Sequence, residues 1–280
     1  MRSIRGMHVV VDGAGPPVVL CGGLGGNWFD WDEVAGLLAD EHTVIRIDRP
    51  GYGMSAPEPG FPTVRGEAAR IRVVLDELGV DVPAVLVGHS LGGFYAEAFA
   101  RLYPELTAGL VWLDTSLAQP APGRCRSSTK AARARRVARF LTALGLTSLF
   151  GPVVYRVALG SKYPDGLSSS TRRRADRVFC RGEYLEALMV ELSAFDSLGR
   201  EVVDIRSRFS LRGPGVVAAV QGRRRTWASA RWIKQQKSFA VAMSAAFVVL
   251  GPAAHHVMID RAPVVAAVIC RLTVRNDHSE

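Results

Sequence analysis

Cysteine is scarce in this 280-residue chain: Cys21, Cys125, Cys180 and Cys270 lie far apart, and no two form a C-x-x-C pair. Such spacing argues against a disulfide framework and a zinc cluster. It points instead to free thiols in a reducing, cytoplasmic setting. Long apolar runs are also missing. No stretch stays apolar over the ~18 residues of a membrane span. Residues 12–17, Asp-Gly-Ala-Gly-Pro-Pro, interrupt the N-terminal apolar run before it becomes a signal-peptide core. The longest apolar run, near 240–252, is broken by Ser244 and Gly251 and reads as a helix end followed by a buried strand. A soluble protein is expected. Nucleic-acid signatures are lacking too. The net charge is +9, but most of it is arginine spread between Arg124 and Arg225. No zinc-finger spacing, helix-turn-helix pattern or aromatic-interleaved RNA motif accompanies it, so solvated surface arginines are expected and no nucleic-acid partner.

What is present is core material. Hydrophobic residues make up 48% of the chain, which excludes disorder as the overall state. The length suits one large domain, or one domain carrying an insertion. Short apolar segments at 7–11, 18–21, 43–47, 84–87, 109–113, 216–220 and 246–250 read as strands. Segments at 27–39, 64–78, 91–102, 226–243 and 262–272 read as helices between them. Strands alternating with helices predict an α/β fold: a mostly parallel central sheet with helices on both faces. The alternation breaks over 116–210, which is arginine-rich, helical in period and without a convincing buried strand. The expected organisation is a core of 1–115 and 211–280, with a helical insertion over 116–210. Residues 276–280 are expected to be loose.

One motif carries chemistry by itself. Gly88-His89-Ser90-Leu91-Gly92-Gly93 follows the strand at 84–87 and opens a helix. A strand-to-helix turn tight enough to project Ser90 leaves no room for side chains two residues before or after it, and glycine fits both places. The helix that follows aims its N-terminal amides at the serine. The bland alternative is a glycine-rich turn with an inert serine. Context favours an exposed nucleophile.

Four blocks in order give the chain a wider resemblance. Gly22-Gly23-Leu24-Gly25-Gly26-Asn27-Trp28 resembles the oxyanion loop of the α/β-hydrolase superfamily. Residues 48–55, Asp-Arg-Pro-Gly-Tyr-Gly-Met-Ser, are similar to its D-x-x-G-x-G-x-S segment. Residues 88–93 resemble its nucleophile elbow, and residues 254–260, Ala-His-His-Val-Met-Ile-Asp, its late histidine loop. Two departures stand out: Gly22 occupies a position where many members carry histidine, and Gly251-Pro252-Ala253-Ala254 replaces the commoner Gly-x-Gly.

The resemblance implies a serine hydrolase with Ser90 as nucleophile and His255 as general base. His255 sits at the family's position, five residues before Asp260; the adjacent His256 is the weaker candidate and an expected pocket-wall residue. The triad acid is left between two carboxylates. The superfamily's usual position, after the strand at 216–220, holds Gln221-Gly222-Arg223-Arg224-Arg225-Thr226 and no acid. Some members place it one strand earlier, where this chain has Asp114 at a strand's carboxyl end, the end that faces the crevice in a parallel sheet. Asp114 is the choice and Asp196, on the insertion, the runner-up. Asp260 is expected to cap the last helix and Asp48 to brace the turn at 49–53. The implied oxyanion hole uses the backbone amides of Leu91 and Leu24, with Gly23 as alternative to Leu24. Trp28, His89, Phe94 and His256 are the expected substrate-binding residues. The insertion corresponds to the family's cap, whose Arg133, Arg136 and Arg139 share one helix face. Those arginines are read as a solvated surface, with attraction to anionic lipid as the sharper reading.

The expected chemistry is acyl transfer to water: cleavage of a carboxylic ester, or related acyl bond, of a small apolar substrate, with no metal or organic cofactor. Carbon–carbon bond hydrolysis, a cofactor-free peroxidase-like reaction and a non-catalytic ligand receptor are the alternatives on the same fold. Epoxide hydrolysis and haloalkane dehalogenation are disfavoured, because those relatives use Asp where this chain has Ser90.

Overall fold

Val18-Val19-Leu20 and Val85-Leu86-Val87 are apolar on both strand faces, as the central strands of a covered parallel sheet must be. All six are almost completely inaccessible. A computed structural model describes residues 1–118, 127–151, 153, 169–224 and 226–273. Its sheet contains β1 (Arg2–Ile4), β2 (Met7–Asp12), β3 (Pro17–Cys21), β4 (Thr43–Ile47), β5 (Ala84–His89), β6 (Thr107–Leu113), β7 (Gly215–Val220) and β8 (Ala246–Leu250). The eight strands lie in the order β1-β2-β4-β3-β5-β6-β7-β8. From β4 through β8 every pairing is parallel; β1 with β2 and β2 with β4 are antiparallel.

β1 is one element that the sequence pattern did not reveal. It is three residues long, too short for alternation to register. The turn that joins it to β2 is Arg5-Gly6, both in left-handed backbone conformation with φ 47° and 82°. That is the geometry that two-residue hairpins favour.

Alternate residues of each strand feed two cores. Val19, Leu86, Leu110, Trp112 and Val217 pack under α2 (Val64–Leu78) and α3 (Gly92–Leu102). Val18, Leu20, Val85, Val87, Val111, Leu113 and Ala218 pack on the opposite face under α1 (Asp32–Leu38) and the C-terminal helix Ala262–Thr273. The helix expected over 27–39 is two elements, a 3-10 turn at Trp28–Trp31 and then α1. The Asn27 amide donates to Asp30 Oδ2 at 2.9 Å and the Asp30 amide to the Asn27 carbonyl at 3.1 Å, and this local bonding sets the break.

Between β6 and β7 the chain forms an inserted helical layer: α4 (Ser127–Ala143), α5 (Ser169–Phe179) and α6 (Gly182–Arg208). With 27 residues, α6 is about 40 Å long. Val190, Ala194, Leu198, Val202 and Ile205 recur at helical spacing and are buried, so one stripe of α6 faces the body of the protein. Ala131 and Ala134 of α4 pack on Val190. Arg133, Arg136 and Arg139 lie on the exposed face of α4, and Arg139 pairs with Glu186 of α6. After the insertion come α7 (Trp227–Ala242), α8 (Val257–Asp260) and α9 (Ala262–Thr273). Among the described residues, no helix is long and apolar enough to cross a membrane. Cys21, Cys180 and Cys270 are free thiols, while Cys125 lies outside the described residues. Burial pushes the Cys21 thiol up to about 12, so it stays protonated and unreactive.

Glu67 of α2 is buried and accepts a hydrogen bond from the Arg70 guanidinium at 2.8 Å. Burial, opposed by the charge of Arg49, raises its carboxyl from 4.5 to about 8. A raised acid binds its proton more tightly in the folded state, so the native protein loses stability as the unfolded chain ionises. The loss should accumulate between about pH 5 and pH 8 and level off above. Glu67→Gln should flatten that slope. Urea denaturation of both proteins at pH 5, 6.5 and 8.5 measures it, and parallel pH profiles would contradict the assignment.

Candidate active site

β5 ends at His89 and α3 begins at Gly92, leaving two residues to reverse the chain direction. Ser90 absorbs the turn with φ 51°, a left-handed conformation that costs a non-glycine residue roughly 1 kcal/mol or more. Its surroundings over-determine it. The Ser90 amide donates to the Leu113 carbonyl at 3.1 Å, and its own carbonyl accepts from the Gly93 and Ser116 amides and the Thr115 hydroxyl, each at 3.1 Å. A Cβ on Gly88 would stand 2.5 Å from the Gly93 Cα; hence glycine is required there. Ser90 itself is half-buried.

The sheet register brings the next group alongside. β5 and β6 pair in parallel with His89 opposite Leu113. The residues that follow, Ser90 and Asp114, therefore leave the same end of adjacent strands. Asp114 also has a positive φ, 44°, and is buried. Its Oδ1 accepts from the Val220 amide at 3.0 Å and from the Trp232 indole at 2.7 Å. Its Oδ2 lies 2.5 Å from His255 Nδ1. This bond places the proton of His255 on Nδ1 and leaves Nε2 as a proton acceptor. The other carboxylate considered, Asp196, is exposed on α6. It is set aside, because a helix holds its side chain in fixed register and this one turns outward.

His255 sits on the loop after β8, with its side chain about half exposed at 47%. The loop is anchored at several points. Ala253 donates to the Gln221 carbonyl at 3.0 Å, and Ala254 donates to Asp260 Oδ2 at 2.8 Å. Asp260 therefore clamps the histidine loop, with Arg223 on its other oxygen at 2.8 Å, instead of capping the last helix as its position suggested.

His89 proves to be a brace. It is 1% exposed, and its Nε2 lies 2.9 Å from the His255 carbonyl oxygen. Since that oxygen can only accept, Nε2 carries the proton. Burial first, then the His255 and His256 rings, hold the His89 pKa well below the ordinary imidazole range, so it is neutral. Its ring centroid is 4.7 Å from that of His255. His256 diverges: its ring is 85° to that of His255, with centroids 5.5 Å apart.

The glycine-rich loop at 22–26 lies against the serine. A Cβ on Gly23 would come within 3.0 Å of both the Ser90 Cβ and His89 Nδ1. The amides of Leu24 and Leu91 make no backbone hydrogen bond among the described residues. Asp48 braces the following turn by accepting from the Trp28 and Met54 amides at 2.9 and 3.2 Å. Two of the expected substrate contacts are packed in the interior. Trp28 is buried beside His8 and Phe29, in a cluster with Val10 and Tyr52. Phe94 is 1% exposed and packs on Phe195 of α6. Trp232 is a site residue with no signal in the sequence, since an indole on an amphipathic helix gives no hint of a carboxylate across the fold.

A serine on a strained strand-to-helix turn and a histidine–carboxylate pair drawn from later strand ends can be compared with known proteins. A model of the "Alpha/beta hydrolase family" matches residues 18–268. The chain belongs to that family. Over 109 residues it is 38% identical to the soluble epoxide hydrolase of Corynebacterium sp. (strain C12), covering 39% of this chain and 37% of that protein. The chain thus spans well under half the length of that curated relative. The solved structure of the epoxide hydrolase CorEH superposes with TM-score 0.73 at 22% identity, over 98% of this chain and 97% of that one. A thermophilic esterase from Thermogutta terrifontis superposes with TM-score 0.68 at 23% identity, over 98% and 94%. At such identities the two structures speak for the fold alone.

Asp114→Ala would leave the Trp232 indole, the Val220 amide and His255 without their partner. A loss of about 2–4 kcal/mol is expected, since each buried donor left unsatisfied costs about 1–3 kcal/mol. Trp232→Phe, which removes one donor and leaves a smaller aromatic ring, should cost about 1 kcal/mol. Chemical denaturation compares the two; equal losses would mean that packing of the indole, and not its N–H, is what matters.

Proposed function

We propose that this protein is a serine hydrolase that cleaves a carboxylic ester, or a related acyl bond, of a small apolar substrate through an acyl-enzyme. The observation that carries the reading is the His255–Asp114 pair, Nδ1 to Oδ2 at 2.5 Å, with Asp114 leaving the strand that neighbours the one ending in the strained Ser90 turn. In this reading His255 Nε2 takes the Ser90 proton as the hydroxyl attacks the carbonyl carbon. Asp114 holds the imidazole in the tautomer that makes this possible and stabilises the imidazolium. Its own fixation by Val220 and Trp232 means that little reorganisation is needed during reaction. The amides of Leu91 and Leu24 then face the developing oxyanion. Preorganised donors of this kind are worth ~3 kcal/mol each in the transition state. His255 returns the proton to the leaving alcohol, and water, activated by the same imidazole, releases the acid and regenerates Ser90.

The nucleophile's identity bears on the reaction class. Attack on an epoxide or an alkyl halide forms a bond to a saturated carbon. A serine oxygen would become an ether there, which water does not cleave under these conditions. A carboxylate nucleophile would give an ester, which it can. The epoxide hydrolases among the relatives therefore lend this chain their family but not their reaction. Acyl transfer is the chemistry in which a serine intermediate turns over.

A fluorophosphonate probe should label wild-type protein on Ser90, with labelling abolished in Ser90→Ala. His255→Gln and Asp114→Asn should lower kcat for p-nitrophenyl esters by about 10³–10⁴-fold with KM little changed. A graded ester series, from acetate upward, run beside styrene oxide and a haloacid, measures the class. Turnover of the epoxide or the haloacid without ester hydrolysis would overturn the proposal.

A further inference from the structure

Arg49 follows the end of β4 and is buried, and its guanidinium makes four hydrogen bonds. One edge grips the glycine-rich loop: Nη1 donates to the Gly22 carbonyl and Nη2 to the Gly23 carbonyl, both at 2.7 Å. The other edge meets Glu191 of α6, with Nε to Oε1 at 2.8 Å and Nη2 to Oε2 at 2.9 Å. Glu191 is 3% exposed. It also accepts from the Tyr52 hydroxyl at 2.8 Å and the Tyr95 hydroxyl at 2.7 Å. Both rings lie beside the Arg49 guanidinium, 4.7 and 5.2 Å from it. Burial, then the charge of Glu191, pushes both phenols above their ordinary range, so they remain donors.

Peptide geometry gives this contact a consequence. In a trans peptide the carbonyl of one residue and the amide of the next point in opposite directions. Holding the Gly22 and Gly23 carbonyls toward Arg49 turns the Gly23 and Leu24 amides away from it. Those are the two amides weighed as oxyanion donors, in a loop already packed against the Ser90 Cβ. Within the loop the Gly26 amide also donates to the Gly23 carbonyl at 3.0 Å; Arg49 adds a second donor there and holds the Gly22 carbonyl as well, fixing planes that flexible glycines leave free. Arg49 has the planar fork for the task; a lysine could not reach two carbonyls and a carboxylate together.

We propose that Glu191, on the inserted helix, is a positioning residue that sets the oxyanion loop through Arg49. The inserted layer would then complete the catalytic machinery as well as cover it. Contacts on either side of Glu191 fit a fixed α6. Tyr184 donates to the Gly25 carbonyl at 2.8 Å. A Cβ on Gly51 would stand 2.8 Å from the Ala187 Cβ, so the helix rests on bare backbone there. This inference rests on the proposed acyl-transfer reading for its effect on rate, but its effect on the loop is independent of that reading.

Three variants test it: Arg49→Lys, Glu191→Gln and the double variant Arg49→Met/Glu191→Leu. Amide hydrogen exchange over residues 22–26 is the readout that needs no activity. Exchange there should speed up at least tenfold in all three, with β5 and β6 unchanged; unaltered exchange would overturn the proposal whether or not any ester is cleaved. With an ester substrate, the single variants should lose about 10–100-fold in kcat, with KM within about threefold and fluorophosphonate labelling slowed in parallel. The double variant, which leaves no unpaired buried charge, should recover thermal stability but not kcat. Recovery of kcat with stability would show that the pair serves the fold alone. Failure of the wild type to be labelled or to cleave esters would count against the acyl-transfer reading, while the exchange result would still decide this one.

Discussion

The Asp114 carboxylate accepts from the backbone of β7, the indole of α7 and the imidazole on the loop after β8. Three segments that follow the insertion are thereby tied to the end of a strand that precedes it. The rest of the site depends on this convergence. A buried carboxylate is costly unless its lone pairs are used, and here donors that the fold itself supplies use them and hold it in place. An imidazole held by such a group has one tautomer and one orientation, which is what a general base beside a serine requires.

The elbow obeys the same economy of backbone groups. Ser90 adopts an unfavourable φ, and its amide and carbonyl are both bonded to the segment Leu113–Ser116. Strain at one strand end is held by the neighbouring strand end. His89 extends the arrangement by bonding the carbonyl of His255, so the residue before the serine braces the loop that carries the imidazole. The inserted helices join through a different contact. Arg49 and Glu191 connect α6 to the glycine loop, and the charge that stabilises the core layer is supplied from the layer above it.

Much of this was legible in the residues. The strand runs at 43–47 and 246–250 and the helix over 64–78 match their observed bounds, because apolar period and turn chemistry were unambiguous there. Gly88, Ser90 and Gly92 announced the elbow because only a cramped bend needs that spacing. Other features were not legible. Asp114 and Asp196 were both carboxylates in reasonable places, and chain order alone did not separate them. Trp28 and Phe94 carried the same apolar signal whether they walled a pocket or filled a core. Glu191 sits in a helix where a glutamate ordinarily faces water, and nothing local marks it as the buried partner of a residue 142 positions away.

The sequence by itself determined the alternation of strand and helix, the sharp bend at Ser90 and the family to which these belong, because each is written in neighbours a few residues apart. Only the tertiary structure decided which carboxylate meets His255, which aromatics are core, and that Arg49 holds the loop beside the serine. Those choices depend on the register of β5 on β6 and on the seating of α6. Both are set by the packing of whole elements, and no local pattern encodes them.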